Sequence, residues 1–444
     1  MTLLLVQINT VLGVVCDIIC FMKVKIEKII YPGKSLARID RKVVMLDRGL
    51  PGEEVEFTCL KSKSNYTEGK VSEVLVSSAE RVPPHCDHYL ICSPYQAMNY
   101  TLQSEIKKTQ LKGMISHNLK FEPKKFEFRP ASKIWGYRNK MDLHVVWESK
   151  KPFFAYNLPG KIREFRKIDK CFLASKNVNI LLERLAHVMS HEKPGSIKDI
   201  TIRETSSGEL LLVIYGALEI KSFISTENID FLKKGLSLSG VLFTHTGSGR
   251  EKILWGKNLI EEKINGYKFL LGPTSFFQIN IPMLGALLKD MEKALELKGT
   301  ERILDLFCGV GTFGIIFAGS ARETTGVELS GESAGLLKKN IKLNGVNNFR
   351  AFGADSCDWL SRAAENRFDV LIVDPPRRGL GGRLCGEILK KRIPRIFYIS
   401  CDPSTLLRDL KELLSIYELK SITAYDFFPH TPHIETLSVL TLRK

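Results

Sequence analysis

Two side chains near the carboxyl end of the chain could act together on a pyrimidine base. Cys401 follows a short apolar run, residues 397–399, and precedes an Asp-Pro turn, so its thiol is expected at the carboxyl end of a buried strand. Glu435 lies in a proline-stiffened loop just before a final predicted strand, residues 437–442. A thiolate can add to C6 of a pyrimidine and make C5 nucleophilic, and a carboxylate can later remove the C5 proton. The alternative is a buried structural cysteine and a surface glutamate.

A glycine-rich turn upstream could hold a nucleotide-like cofactor. Residues 303–314 have the pattern of a strand, a turn and a helix start, with glycines at 309, 311 and 314. Glu328 ends the next predicted strand, where a carboxylate can accept both hydroxyls of a ribose. The same spacing matches Gly-x-Gly-x-x-Gly with an acid about 20 residues on, so a nicotinamide-dependent oxidoreductase is an alternative at this point.

A third acidic strand end argues against hydride transfer. Residues 368–373 form an apolar run that ends in Asp374, followed by two prolines and Arg377. Methyltransferases that act on planar nitrogen substrates use a similar Asp-Pro-Pro loop, generally with an aromatic residue next. Because Arg377 stands in that place, the loop argues against chemistry on the adenine amino group.

The elements around these residues predict an α/β protein of several domains. From residue 299, alternating buried strands and amphipathic helices predict a Rossmann-like, doubly wound, mainly parallel sheet. Short strands separated by Pro-Gly and Gly turns predict a small OB-like β-barrel near the amino terminus. We therefore expect a barrel over residues 22–81, a central mixed α/β domain over 82–270 and a catalytic domain over 271–444.

Composition points to a basic globular protein with a nucleic-acid partner. The chain has 444 residues, a formal charge of +16, 44% apolar residues and 26% charged residues. An excess of Lys and Arg creates a field that favours phosphate-rich partners. The ten cysteines are too scattered for a disulfide framework, which indicates a reducing, cytoplasmic location.

The first 21 residues form an apolar leader that does not match a targeting segment. Gln7, Asn9 and Asp17 interrupt it and no Lys or Arg precedes it, so we predict neither a signal peptide nor a membrane span. The regular domain pattern begins at Met22. We hypothesise that Met22 is the natural start, which mass spectrometry of the native protein would test.

Five motifs in a fixed order resemble the RNA 5-methyluridine methyltransferase family. The resemblance runs from about residue 23 to the end of the chain, and it is specific as an ordered set. It implies S-adenosyl-L-methionine as the cofactor, Cys401 as the nucleophile and Glu435 as the base. It also implies cofactor contacts by four residues, Gln278, Phe307, Glu328 and Asp374. The motifs are 276–280 (FFQIN), 305–313 (DLFCGVGTF), 374–377 (DPPR), 400–403 (SCDP) and 433–435 (HIE).

The amino-terminal stretch resembles the TRAM domain, an RNA-binding barrel typical of the ribosomal branch of that family. The resemblance therefore implies 23S ribosomal RNA as the substrate, with a transfer RNA uridine as the alternative. A non-catalytic RNA-binding module is a more remote alternative. We expect a cytoplasmic monomer that binds RNA and no membrane.

One departure from the family concerns an iron–sulfur cluster. Many members hold a four-iron, four-sulfur cluster through a Cys-x5-Cys-x2-Cys run and a later cysteine. Here Cys86 and Cys92 keep the first spacing, Tyr95 stands at the third position, and Cys171 resembles the later ligand. Because only three of the four ligands can be named, we expect this cluster to be incomplete or lost.

Overall fold

The computed structural model describes residues 21–121, 123–149, 151–158, 160–161, 163–190, 196–217, 225–365 and 367–443. The chain forms two compact units: one comprises the chain up to Gly113 together with Phe428–His433, and the other comprises Met114–Phe427 and Ile434–Lys444. Residues 1–20, which hold most of the predicted leader, lie outside the described residues, so the proposed start at Met22 stays a prediction.

The first unit is built around a six-stranded sheet. Its strand order is β1-β5-β6-β4-β3-β2, and buried apolar side chains such as Val44, Phe57 and Val71 form its core. A β-carbon on Gly69 would lie 2.4 Å from the Phe57 ring, so only glycine fits there. The elements of this unit are β1 (Phe21–Lys25), β2 (Lys28–Ile30), β3 (Lys34–Ile39), β4 (Lys42–Leu46), β5 (Glu54–Ser62), β6 (Tyr66–Val76), α1 (Tyr89–Cys92), a 3-10 turn (Pro94–Ala97) and α2 (Tyr100–Leu119), whose last residues belong to the second unit.

After the end of α2, the second unit continues with strand β7. A seven-stranded sheet follows, with the order β10-β9-β8-β11-β12-β13-β14. One helix of this half, α3, begins where the Ser175 hydroxyl accepts a hydrogen bond from the backbone N–H of Val178. The elements are β7 (Lys125–Arg129), β8 (Lys140–Glu148), β9 (Lys151–Asn157), β10 (Phe165–Ile168), α3 (Lys176–Met189), β11 (Ile197–Glu204), β12 (Glu209–Gly216), α4 (Thr226–Lys233), β13 (Ser237–His245), β14 (Glu251–Gly256), β15 (Ile260–Ile264) and β16 (Tyr267–Leu271).

The rest of the second unit alternates helices and strands around an eight-stranded sheet of order β19-β18-β17-β20-β21-β23-β22-β7. The five strands β17 to β21 are parallel neighbours, whereas β23 runs antiparallel between β21 and β22. The elements are α5 (Ile281–Leu295), β17 (Arg302–Leu306), α6 (Thr312–Ala318), β18 (Glu323–Glu328), α7 (Gly331–Leu343), β19 (Phe349–Gly353), α8 (Ser356–Arg362), β20 (Val370–Val373), α9 (Gly381–Lys391), β21 (Arg395–Ser400), α10 (Pro403–Leu413), β22 (Tyr417–Tyr425) and β23 (Glu435–Leu442).

Apolar runs form the central strands of this sheet because helices cover both of its faces. Every residue of β20 is buried, and the core positions of β17 and β21 are equally enclosed. The chain moves outward from β17 through β18 to β19 and then returns to β20 on the other side of β17. Such a reversal opens a crevice at the carboxyl ends of the two strands, where ligands of this architecture bind. The predicted doubly wound α/β class is confirmed.

Within the described ranges, no helix combines the length and the apolar character needed to cross a membrane. All eight described cysteines are free thiols.

Candidate active site

A tight glycine turn joins β17 to α6 at the crevice. Phe307, Gly309 and Gly311 have φ values of 60°, 56° and 96°, in the left-handed region that favours glycine. A β-carbon on Gly311 would lie 2.5 Å from the Leu337 side chain, so no residue larger than glycine fits at this position. The sequence therefore places glycine where both the backbone angle and the packing require it.

Glu328, at the end of β18, is fixed against this turn by its two carboxylate oxygens. Oε2 accepts a hydrogen bond of 2.9 Å from the N–H of Gly309, and Oε1 accepts one of 2.7 Å from the N–H of Ser330. Each carboxylate oxygen can accept more than one hydrogen bond. The group can therefore also receive the two hydroxyls of a ribose, as the sequence predicted for it.

Asp305 is a buried carboxyl that the sequence reasoning quoted in a motif but gave no role. Its side chain is inaccessible to solvent, Oδ2 accepts a hydrogen bond of 2.8 Å from Gly314, and Oδ1 has no partner among the described residues. Burial raises the pKa of Asp305 to about 8, and the charges of Asp374 and Glu328 act in the same direction. A buried oxygen without a partner is suited to a ligand that brings a donor.

Gln278 and Asp374 meet on the other side of the crevice. The Gln278 amide donates a 3.1 Å hydrogen bond to Asp374 Oδ2. Burial raises the pKa of Asp374 to about 7, while the bond from Gln278 opposes that shift. The Gln278 carbonyl in turn accepts a 2.9 Å hydrogen bond from the Asn139 amide. Two residues predicted as cofactor contacts are thus in direct contact, and Asn139 fixes one of them.

Arg203 positions the segment that leads to Gln278. Its guanidinium is buried and donates to the carbonyls of Pro273, at 3.4 Å, and Ser275. Burial lowers the pKa of Arg203 to about 10. No sequence motif marks Arg203 or Asn139, because both come from the seven-stranded sheet half of the unit and reach this segment only through the fold.

Cys401 and Glu435 lie next to each other at the edge of two antiparallel strands. Ser400 at the end of β21 pairs with Thr436 of β23, and the Thr436 hydroxyl donates a 3.1 Å hydrogen bond to the Ser400 carbonyl. The pairing ends there, and Cys401 and Glu435 are the next residues outward, with the charge of Glu435 acting on the Cys401 thiol. Residues opposite each other in an antiparallel pair have Cα atoms about 4.5–5.5 Å apart and side chains on the same face. The structure therefore brings the predicted nucleophile and base together.

The electrostatics of the pair agree with this placement. Burial first, and then the charges of Glu435 and Asp374, raise the pKa of the Cys401 thiol to about 12. Glu435 is 2% exposed, its Oε1 has no partner among the described residues, and burial followed by the charge of Asp374 raises its pKa well above the usual range. Arg377 opposes both shifts. The thiol, the two carboxyls and this guanidinium thus form one electrostatic group.

The loop that carries Arg377 is held by helix α10. The Thr405 hydroxyl donates to the carbonyl of Arg377 at 3.1 Å, and Arg408 donates to the carbonyl of Arg378 at 2.7 Å. Arg408 also binds the buried carboxylate of Asp409. Arg408 therefore supports the loop through its hydrogen bonds.

A cavity of about 260 Å³ opens beside Phe307, one of the predicted cofactor contacts. Asp355 also lines it, and the Asp355 side chain accepts hydrogen bonds from the first N–H groups of α8 at Cys357 and Asp358. Sequence reasoning missed Asp355, although its position two residues after β19 resembles that of Glu328 at the end of β18. The other lining residues are Cys357, Arg378, Gly379, Leu380, Gly381, Arg383 and Leu384.

A comparison with known protein families identifies the family to which this chain belongs. The model of the tRNA (uracil-5-)-methyltransferase family matches residues 99–444, which is most of the chain. The chain belongs to this family. The predicted enzyme class, an RNA (uracil-5-)-methyltransferase with S-adenosyl-L-methionine as cofactor, is confirmed. The family assignment decides against both the oxidoreductase and the non-catalytic module.

Similar proteins span nearly the full chain. An uncharacterized RNA methyltransferase of Thermosynechococcus vestitus is 30% identical over 95% of this chain and 98% of its own length, and one of Thermotoga maritima is 30% identical over 94% and 98%. Among solved structures, the tRNA (uracil-54, C5)-methyltransferase of Pyrococcus abyssi in complex with S-adenosyl-L-homocysteine superposes with a TM-score of 0.74 at 25% identity. It covers 95% of this chain and 100% of that one.

The residues do not fit the iron–sulfur cluster that many methyltransferases of this family hold. Tyr95, at the third ligand position, is buried in an apolar cluster with Ile29, Leu50 and Met98. Cys86 and Cys92 lie 3.7 Å and 3.4 Å from His88 Nδ1, while Cys171 is buried in the core of the seven-stranded sheet half. Across the described residues, no group of three or more His, Cys, Asp or Glu is placed to hold a metal ion.

Proposed function

We propose that this enzyme methylates C5 of a uridine in RNA through a covalent bond between Cys401 and C6. The observation that carries the proposal is the antiparallel pairing of Ser400 with Thr436, next to which Cys401 and Glu435 lie close enough for the charge of Glu435 to raise the pKa of the thiol. The Cys401 sulfur bonds to C6 and the C5=C6 electrons move to C5, which becomes an enolate carbon. S-adenosyl-L-methionine supplies the methyl group from its sulfonium, which is displaced by that carbon.

Glu435 completes the reaction as the general base. It takes the proton from C5, the electrons re-form the C5=C6 bond, and the Cys401 sulfur leaves as a thiolate. Because burial raises the pKa of Glu435, its ionised form is a stronger base than an exposed carboxylate. Arg377 favours the thiolate of Cys401, since its charge lowers the pKa of that group. A uracil inside a stem could not reach this edge, so we propose a flipped or looped base.

We propose that the cofactor lies along the crevice between β17, β18 and β20. Glu328 accepts the ribose hydroxyls, and Phe307 with Asp355 borders the cavity that takes the adenine. Gln278 and Asp374 then lie at the methionine end, nearest to Cys401. The unpartnered Oδ1 of Asp305 and the raised pKa of Asp374 support a site built to receive donors from a ligand.

We further propose that residues 22–81 form the TRAM-like RNA-binding domain, that residues 82–270 form the central domain, and that the enzyme works as a cytoplasmic monomer. The sequence predicts 23S ribosomal RNA as the substrate because of the TRAM resemblance. A transfer RNA uridine is the second candidate, since the Pyrococcus abyssi enzyme with the same fold is a tRNA (uracil-54, C5)-methyltransferase. Methyl transfer to each RNA, prepared without the modification, decides between them.

RNA containing 5-fluorouridine tests the covalent step. Fluorine at C5 cannot leave as a proton, so the RNA should stay bonded to the protein after methyl transfer and migrate with it in a denaturing gel. Cys401→Ala should form no adduct. The matched control is Cys385→Ala, which removes another buried thiol whose pKa burial raises to about 12 and which lies on α9. An adduct that survives in Cys401→Ala would overturn the proposal.

A further inference from the structure

A second cavity lies in the seven-stranded sheet half, built by residues that the methylation chemistry does not use. Its volume is about 950 Å³, at the upper end of the roughly 300–1,000 Å³ typical of ligand sites. The walls come from β9, from the end of β10, from the first two turns of α3 and from two connecting segments, residues 133–136 and 169–175.

The rim of this cavity is basic. Four lysines line it, Lys133, Lys167, Lys170 and Lys176, against two acids, Asp169 and Glu183. Lys167 pairs with Asp169 at 2.9 Å, and four lysines against two acids leave the rim with an excess of two positive charges. The other three lysines are Lys133, Lys170 and Lys176. All three are exposed. A rim with this excess of positive charge is complementary to a polyanion.

Aromatic rings lie between these lysines. Trp135 and Phe172 are half-buried and meet edge to face, with their centroids 6.4 Å apart and their planes at 75°. The Lys170 ammonium lies 5.0 Å from the centre of the Phe172 ring. Phe153 adds a third ring to the lining. Aromatic faces next to cationic side chains are what single-stranded nucleic acids use, because bases stack on rings while phosphates contact the charges.

Backbone hydrogen bonds hold the rim in place. The Asn179 side chain binds both the N–H and the carbonyl of Cys171, at 2.8 Å and 2.9 Å. The Phe172 carbonyl accepts a 3.0 Å hydrogen bond from Gly136, and the Leu173 carbonyl accepts one of 2.9 Å from Arg138. Because the segment between Lys170 and Ala174 is fixed in this way, the protein would lose little conformational entropy when a ligand binds.

We propose that this cavity binds a single-stranded segment of the substrate RNA outside the methylated nucleotide. The phosphates contact Lys133, Lys170 and Lys176, and a base packs against Trp135 and Phe172. The inference rests on the proposed function only in taking RNA as the substrate. Charge complementarity selects RNA over an uncharged peptide, and the rings select a polyanion that carries bases.

Binding of a fluorescent oligouridylate of about twelve nucleotides to the full chain tests the site. The triple variant Lys133→Gln, Lys170→Gln, Lys176→Gln should bind at least about tenfold more weakly. The slope of log affinity against log salt should decrease in magnitude by about 2, because each of the three lost phosphate contacts contributes about 0.7. The matched control, Lys289→Gln, Lys293→Gln, Lys298→Gln, removes the same charge from α5 and the residues after it. It should change affinity less than about twofold. Equal losses in the two triples would overturn the proposal.

Trp135→Leu separates stacking from charge. It leaves every lysine in place and should weaken binding by about fivefold or more without changing the salt slope, because a base no longer stacks on the ring. Unchanged binding of S-adenosyl-L-homocysteine by each variant shows that the fold is intact. A phosphoserine peptide that displaces the oligouridylate from wild type but not from the lysine triple would assign the cavity to a protein partner instead. Because binding is read without methyl transfer, this result is independent of the 5-fluorouridine test.

Discussion

At the scale of single residues, the reactive pair is defined by burial as much as by identity. Burial and nearby negative charge raise the pKa of both Cys401 and Glu435. The positive charge of Arg377 lowers both pKa values and so makes ionisation of the two groups easier. The catalytic power of the pair therefore depends on a side chain that takes no covalent part in the reaction.

Replacing Arg377 should move the pH dependence of methylation. In Arg377→Gln the Cys401 pKa rises further, so the thiolate fraction at a given pH falls and the rising limb of kcat/KM shifts to higher pH. At neutral pH we expect a loss of roughly threefold to tenfold relative to wild type, and because the Cys401 pKa is about 12, this ratio should persist as the buffer is made alkaline. Arg362→Gln removes the same charge from the exposed last residue of α8 and serves as the control. An unshifted profile in Arg377→Gln would contradict this role.

Removing the base should separate the two halves of the reaction. Glu435→Gln keeps the size of the side chain but cannot accept the C5 proton, so methylated RNA should remain bonded to Cys401 even with ordinary uridine. We expect kcat to fall by roughly 10²–10⁴-fold while one methyl group per enzyme is still transferred. Mass spectrometry of the intact protein after a single turnover measures this. Free methylated RNA at the wild-type rate would show that another group removes the proton.

At the scale of elements, the sheet edge is assembled from turns whose residues are visible in the sequence and from supports that are not. The glycines at 309 and 311 and the acids at 328 and 374 follow buried apolar runs, so their place at strand ends could be predicted. The roles of Arg203 and Asn139 could not be predicted, because both residues come from the seven-stranded sheet half and donate to backbone carbonyls of a distant segment. The antiparallel register of β23 is likewise a long-range property, since no local pattern fixes its partner.

The turn between β17 and α6 should not tolerate a β-carbon. In Gly311→Ala the methyl group would lie 2.5 Å from Leu337 and 2.7 Å from Ile315, at a φ of 96°. We expect a loss of about 1–3 kcal/mol in the free energy of unfolding and weaker binding of S-adenosyl-L-homocysteine. Gly335→Ala, on α7, meets nothing within 4 Å and should be neutral or stabilising by up to about 1 kcal/mol. Calorimetry of the two variants compares them directly.

At the scale of the whole molecule, the crevice makes stability depend on pH. Asp305, Asp374 and Glu435 all have pKa values raised by burial, so the folded protein binds more protons than the unfolded chain once the pH exceeds the pKa of a free carboxyl. The contribution of Asp374 and Asp305 to stability is present below about pH 4 and is lost as the pH rises through about 7 for Asp374 and about 8 for Asp305. The unfolding free energy should therefore fall across this window unless a ligand supplies donors.

Asp305→Asn should flatten that dependence. Its carbonyl oxygen can still accept the hydrogen bond from Gly314, but the side chain cannot ionise. We expect the variant to be more stable than wild type at pH 8 by on the order of 2 kcal/mol, and to differ less at pH 5. Denaturant unfolding at the two pH values checks this. Parallel curves for the two proteins would mean that the pKa of Asp305 is not raised in the folded protein.

The pairing of β21 with β23 has a consequence for how this chain can change. Since neighbouring positions on a strand point to opposite faces, inserting or deleting one residue between Thr436 and Leu440 would turn Glu435 away from Cys401 while leaving both side chains intact. Length in that strand is therefore under the same constraint as the reactive groups themselves. Laboratory evolution should accept a one-residue insertion in the exposed turn of residues 246–250, between β13 and β14, far more readily than one inside β23.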